Sequence, residues 1–224
     1  MNKNIKIIIG VAGGVLLLLA LIFMSSARGF SNQGKYVEVK GLSERIIKAD
    51  RAIWTMNFDV KSNDSTDLYR QIATQVNGVT NFLKKAGFEA GEINTSPAST
   101  YQDTYSGSQY RYNARVSMSV YTDKIDLVKT TSQETLSLIE DGIVVSDSYV
   151  SYEIDDINTY KPEMLSEAIE NARTSAEQFA KDSGAGIGAL ARANQGVFDI
   201  SEKDPASPEM KKVRLVSTLR YLLN

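Results

Sequence analysis

Three features of this chain place chemistry-bearing residues at suggestive spacings. The first is the segment GAGIG, with Gly184, Gly186 and Gly188 at alternate positions. Glycine-rich turns beside a helix can cradle phosphate through backbone N–H groups. A dinucleotide fingerprint, however, follows a strand, opens a helix and reads GxGxxG. These glycines follow a helical pattern and precede a strand-like one, and no Lys-Ser or Lys-Thr pair completes a P-loop. They are expected to end the helix and turn the chain back, with Gly184 in the left-handed conformation.

The second feature is an acidic group, Glu153, Asp155 and Asp156, which could attract a cation. It lacks the ligand pattern of an EF-hand loop and reads as a solvated connection. Glu140 and Asp141 beside Gly142 read as an exposed helix end. The third feature is a concentration of tyrosines, Tyr101, Tyr105, Tyr110, Tyr112 and Tyr121. Tyrosine buries area while keeping a polar tip, so it suits interfaces; it also serves to cover a hairpin's own sheet. Tyr101, Tyr105, Tyr110 and Tyr112 are the candidate interface residues.

Composition narrows the chemistry further. The 224 residues contain no histidine and no cysteine. A Ser-His-Asp triad, a thiol nucleophile and a zinc–thiolate site are therefore impossible. No GxSxG elbow occurs. No catalytic, metal-ligating or cofactor-binding residues are assigned, and no cofactor is expected. A carboxylate-based hydrolase stays open as an alternative that would need converging carboxylates in a pocket.

The elements that must position the tyrosines can be read from periodicity. Residues 36–42 form a first strand. In residues 50–60, Trp54, Met56, Phe58 and Val60 alternate with polar residues, the mark of a half-buried strand. Residues 62–88 carry Leu68, Ile72, Val76, Val79 and Leu83 on one helical stripe, with Asp64 or Ser65 as cap and Gly87 as stop. Residues 92–106 and 109–122 form a long hairpin turning near Ser106–Gln109. A second helix is expected over 123–142, with Leu127, Val128, Thr131, Thr135, Leu138 and Ile139 inward. A strand follows over 143–154.

The third helix is expected over 163–183. Its inner stripe is Leu165, Ala168, Ile169, Ala172, Ala176, Phe179 and Ala180, whose small members permit close approach to a sheet. Strands over 190–200 and 211–223, joined by a loop with two prolines, close the chain. The order is β-β-α-β-β-α-β-α-β-β. It predicts an α+β fold with mixed, largely antiparallel sheets packed against three helices, plus an N-terminal transmembrane helix.

That last element rests on Lys3 and Lys6 followed by an uncharged run of 18 residues, Ile7–Met24. This is about the minimum length for crossing a bilayer core, and the flanking lysines place the N-terminus in the cytoplasm. The expected organisation is a signal anchor over 1–27, contacting membrane through residues 7–24, a linker over 28–35, and a domain over 36–224. Cleavage after "SSA" (25–27) is the alternative, leaving a secreted or periplasmic product; both readings export the domain. No cysteine follows the apolar run, which excludes a lipoprotein anchor. Without Lys3 and Lys6 the chain carries 23 basic and 27 acidic residues, a net charge of −4. That balance, with no basic run, argues against nucleic-acid binding.

The stretches VEVKGLSERIIKADRAIWTMNFDV, GFEAGEINTSPASTYQDTY, YRYNARVSMSVYT and LSEAIENARTSAEQFAKDSGAGIGALARANQG occur in an order that resembles the SIMPL-domain family. The resembling features are the Ile93–Tyr101 strand start and the helix bearing Ala168, Ala172, Arg173, Ala176, Glu177 and Ala180. Asp50-Arg51-Ala52 departs from the pattern, since a proline often precedes the aspartate. The resemblance implies a bacterial envelope protein, anchored or periplasmic, with relatives linked to oxidative-stress tolerance and one that assembles into ring- or channel-like oligomers. It supplies no catalytic residues. The expectation that follows is a non-enzymatic assembly or interaction protein, with a homo-oligomer and an unspecified envelope protein as partners. A binding module for a small ligand or envelope polypeptide is the alternative.

Overall fold

A computed structural model describes residues 35–105 and 107–224. The expected anchor over 1–27, residues 28–34 of the expected linker, and Ser106 lie outside the described residues. Among the described residues no helix is long and apolar enough to cross a membrane.

The elements are β1 (Tyr36–Lys48), β2 (Arg51–Ser62), α1 (Ser65–Ala86), β3 (Ile93–Thr95), β4 (Ser99–Gln102), β5 (Tyr112–Thr122), α2 (Ile125–Thr131), β6 (Val145–Glu153), α3 (Lys161–Asp182), β7 (Ile187–Glu202) and β8 (Met210–Leu223). Two 3-10 helices, Ser132–Asp141 and Ile157–Thr159, complete the elements of the described residues. The architecture is α+β, as expected. One sheet has the order β1-β8-β7; the other has the order β3-β5-β2-β6, with β4 also paired to β5. The region expected as one domain divides into two compact units. Among the described residues, the larger comprises Ser43–Ser166 and Val197–Leu215; the smaller comprises residues 35–42, Glu167–Gly196 and Val216–Asn224.

The larger unit follows from the alternation in β2 and β5. Met56 pairs with Met118, Trp54 with Val120 and Phe58 with Val116, all antiparallel. These side chains share one face and are buried, together with Leu68, Val79 and Leu83 of α1 and Phe88 beyond it. The Trp54 and Phe88 rings lie 6.2 Å apart at 58°, and the indole N–H of Trp54 donates to Ser148 Oγ at 3.0 Å. Trp54 is thus a core residue with its polar edge satisfied. Helix α1 starts where Asp64 accepts from the Asp67 amide at 2.8 Å and stops at Gly87, whose φ of 112° is left-handed.

Two expectations fail here. The helix expected over 123–142 is regular only through Thr131 and tightens into a 3-10 helix from Ser132. The hydroxyls of Thr130, Ser132, Thr135 and Ser137 each donate to a backbone carbonyl three or four residues earlier. Such bonds compete with the regular ladder. Leu138 is buried, but Ile139, expected inward, is exposed. The strand expected over 92–106 is two short pieces, β3 and β4, interrupted at Ser96-Pro97-Ala98, because proline cannot donate to a ladder.

The smaller unit is built from small side chains. Ala168, Ala172, Ala176 and Ala180 of α3 are buried at every fourth position. A Cβ on Gly41 of β1 would stand 1.7 Å from the Ala168 carbonyl oxygen and 2.6 Å from the Ala172 nitrogen. The helix backbone therefore lies directly on the strand, and only glycine fits. Val39, Leu219 and Tyr221 are buried with Ala172 and Ala176. The expected stripe was too broad, because Ile169 and Phe179 face solvent, Phe179 at 63% exposure. Backbone-to-strand packing leaves no depth for their side chains.

Gly184 ends α3 with φ 71°, and the Ala185 amide donates back to the Ala180 carbonyl at 2.8 Å. The turning role expected of all three glycines belongs to Gly184 alone. Gly186 exchanges two backbone hydrogen bonds with Asn224, at 3.2 and 2.9 Å. Gly188 lies within β7, where a Cβ would stand 3.0 Å from the Leu222 carbonyl oxygen.

Candidate interaction surface

The tyrosines sit on a hairpin in the larger unit. Strand β4 pairs antiparallel with β5 from Ser99↔Arg115 to Gln102↔Tyr112. The Asp103 amide continues the ladder to the Arg111 carbonyl at 2.8 Å, and the Ser108 amide closes the turn on the Tyr105 carbonyl at 3.0 Å. The Asp103 carboxylate accepts from the Tyr105 amide at 3.0 Å. That amide, then the Ser108 hydroxyl, hold the Asp103 carboxyl below its ordinary range. Asn63, just before α1, pins the loop: its Nδ2 donates to the Gln109 carbonyl at 3.2 Å, and its Oδ1 accepts from the Arg111 amide at 3.0 Å. The hairpin tip is thus tied to the β2–α1 connection by the two Asn63 hydrogen bonds.

On this frame Tyr101, Tyr105 and Tyr110 are exposed by 62%, 76% and 36%. Tyr112 differs. It is half-buried against the core, with the Arg111 guanidinium 5.5 Å from its ring centroid. The four candidate residues therefore split into three that face water and one that anchors the strand. Tyr69 of α1 joins them: with Leu68, Tyr101 and Tyr112 it lines a cleft of about 240 Å³. The sequence reading missed Tyr69. The signal was there, since it lies beside Leu68 and off the apolar stripe of α1, where an aromatic residue must be exposed.

The acidic group is arranged as a loop scaffold. Asp155 and Asp156 donate their amides to the Asp50 carboxylate at 2.7 and 3.3 Å. The Asp155 carboxylate pairs with Arg51 at 3.3 Å, and that of Asp156 caps the short 3-10 helix by accepting from the Asn158 amide at 3.2 Å. Among the described residues no three carboxylates are grouped so as to hold a metal ion. The one deeply buried carboxylate of the larger unit, Glu209, forms an ion pair with Lys129. That pairing, ahead of the opposing effect of burial, holds it below the ordinary range.

The fold and surface define an α+β domain that presents aromatic side chains on a hairpin pinned by Asn63. The chain belongs to the SIMPL family, described as a protein of unknown function (DUF541), whose model it matches over residues 37–217. No curated protein matches it.

Proposed function

We propose that this protein is a non-enzymatic, extracytoplasmic assembly domain, anchored through residues 7–24 and self-associating through the β4–β5 hairpin. The reading is carried by one observation: Tyr101, Tyr105 and Tyr110 stand exposed on a hairpin whose turn is closed by the Ser108–Tyr105 backbone bond and pinned by Asn63. Rigid, exposed tyrosines supply contact area at low entropic cost. Confinement to a membrane surface raises the effective concentration of copies, so even weak contacts become populated. The apolar run behind Lys3 and Lys6 supports the anchor, with the N-terminus in the cytoplasm.

The test is the mass of the full-length chain in mild detergent by light scattering. The wild type is expected to be oligomeric. Tyr105→Ser with Tyr110→Ser is expected to lower the mass while the far-ultraviolet circular dichroism stays folded. A monomeric wild type at high micromolar concentration overturns the proposal, as does a double variant of unchanged mass. A C-terminal alkaline phosphatase fusion is expected to be active; an inactive one overturns the export.

A further inference from the structure

The sheet of the larger unit has a second face, opposite its core, where the outward residues follow from the register. Asn94 pairs with Ser119, Ser119 with Thr55 and Thr55 with Tyr149. Four polar side chains, one from each of β3, β5, β2 and β6, therefore lie on a single line across the strands. The next row on one side is Ser117, Asn57 and Asp147; on the other it is Tyr121, Ile53 and Ser151. The central positions carry no charge; Thr55 and Ser119 are half-buried, and Asn94 and Tyr149 are exposed. Two of the charges at the margin are paired where they stand, Arg115 with Asp59 at 3.0 Å and Arg51 with Asp155 at 3.3 Å; Asp147 keeps its charge and accepts from the Asn57 side-chain amide at 3.4 Å.

The side chains of Thr55, Ser117, Ser119, Ser151 and Asn94 make no hydrogen bond to other described residues. The line ends on Tyr149, 55% exposed. In the adjoining row Tyr121 is braced by the Arg51 guanidinium, 4.8 Å from its ring centroid.

We propose that this face is a binding platform for an extended, uncharged, β-linked glycan lying across the strands. Neighbouring strands are about 4.8 Å apart, close to the advance per residue of such a chain. Successive sugars would meet successive strands, each offering one hydroxyl or amide. The C–H face of a terminal sugar would lie on the Tyr149 ring. The central line of Asn94, Ser119, Thr55 and Tyr149 carries no charge, which suits an uncharged polymer. The serines of this face disfavour a second protein surface, because serine is depleted in protein–protein contacts. The proposal is independent of self-association through the hairpin.

The test is calorimetric titration of the full-length chain with chitohexaose, with the α-linked maltohexaose as comparison. Saturable binding of chitohexaose and weaker binding of maltohexaose are expected. Tyr149→Ala is expected to weaken binding roughly tenfold, equivalent to about 1.4 kcal/mol. Thr55→Lys and, separately, Ser119→Lys, which put a charge on the floor, are expected to abolish it; two sites guard against one variant failing to fold. Tyr105→Ser with Tyr110→Ser is expected to bind chitohexaose as the wild type does, even if its mass falls. No saturable binding, equal binding of both sugars, or wild-type affinity in the Tyr149 and lysine variants overturns the proposal. So does a Thr55→Lys chain that keeps its glycan affinity but loses mass, which would assign the face to a second copy.

Discussion

The two compact units solve the same problem with opposite materials. The larger fills its interior with Trp54, Met56, Phe58, Leu83 and Met118, each almost wholly buried. The smaller brings backbone against backbone, with Gly41 beneath Ala168 and Ala172. In the first, stability depends on the volume that side chains occupy; in the second, on volume that is absent. The two should therefore fail in opposite directions. The larger unit should be damaged most by truncation, and the smaller by addition of a single carbon.

The largest effect is expected from Phe58→Ala. It deletes a fully buried ring and leaves a cavity, costing about 3–5 kcal/mol in chemical denaturation. A loss below about 1 kcal/mol would mean that the core collapses freely, and the contrast between the units would weaken. Gly41→Ala and Ala176→Leu follow, each with a cost in the range of about 1–3 kcal/mol. Gly41→Ala should lie at the upper end, because its Cβ meets backbone, which cannot rotate away. An unchanged melting temperature for Ala176→Leu would show that α3 is free to move off its strands. The sharpest form of the comparison is Ala168→Gly beside Gly41→Ala: removal of a carbon should be far milder than its addition.

Smaller effects sharpen the account of the larger unit's edges. Asp64→Ala removes the cap of α1 and should cost about 1 kcal/mol; Asp64→Asn, which keeps an acceptor, should cost less. Glu92 supplies a pH-dependent check. Burial opposes its ionisation, but the Glu89 amide, the Thr122 hydroxyl and the Lys124 ammonium together hold its carboxyl below the ordinary range. A depressed folded value means that its contribution is fully present above the unfolded carboxylate value and is lost as pH falls through the folded one. The stability gap between wild type and Glu92→Gln should therefore be widest near neutrality and close in acid. A gap that is constant from neutral pH to acid would show that ionisation of Glu92 contributes nothing.

Much of this molecule was legible in the sequence where one strong periodicity acted alone. The alternation in 50–60, the stripe and caps of α1, and the stop at Gly184 are local patterns, and local sterics and burial enforce them. Legibility broke down where local choices compete. The hydroxyls of 130–137 accept either helical form, and the break at Pro97 divides a stretch that otherwise alternates like a strand. The fourfold alanine repeat of α3 looked like the centre of a broad stripe until Gly41 was placed beneath it.

By itself the sequence determined the fold class, the family and the range of excluded chemistry, because absent histidine and cysteine and a residue order over most of the chain are independent of packing. Only the tertiary structure decided which tyrosines face water, since Tyr110 and Tyr112 stand two residues apart, yet Tyr110 is exposed ahead of β5 and Tyr112 is half-buried at its start. It alone decided which strands neighbour which, and so placed Asn94, Ser119, Thr55 and Tyr149 on one line. Those four are distant in the chain; their alignment depends on strand register, which long-range pairing sets.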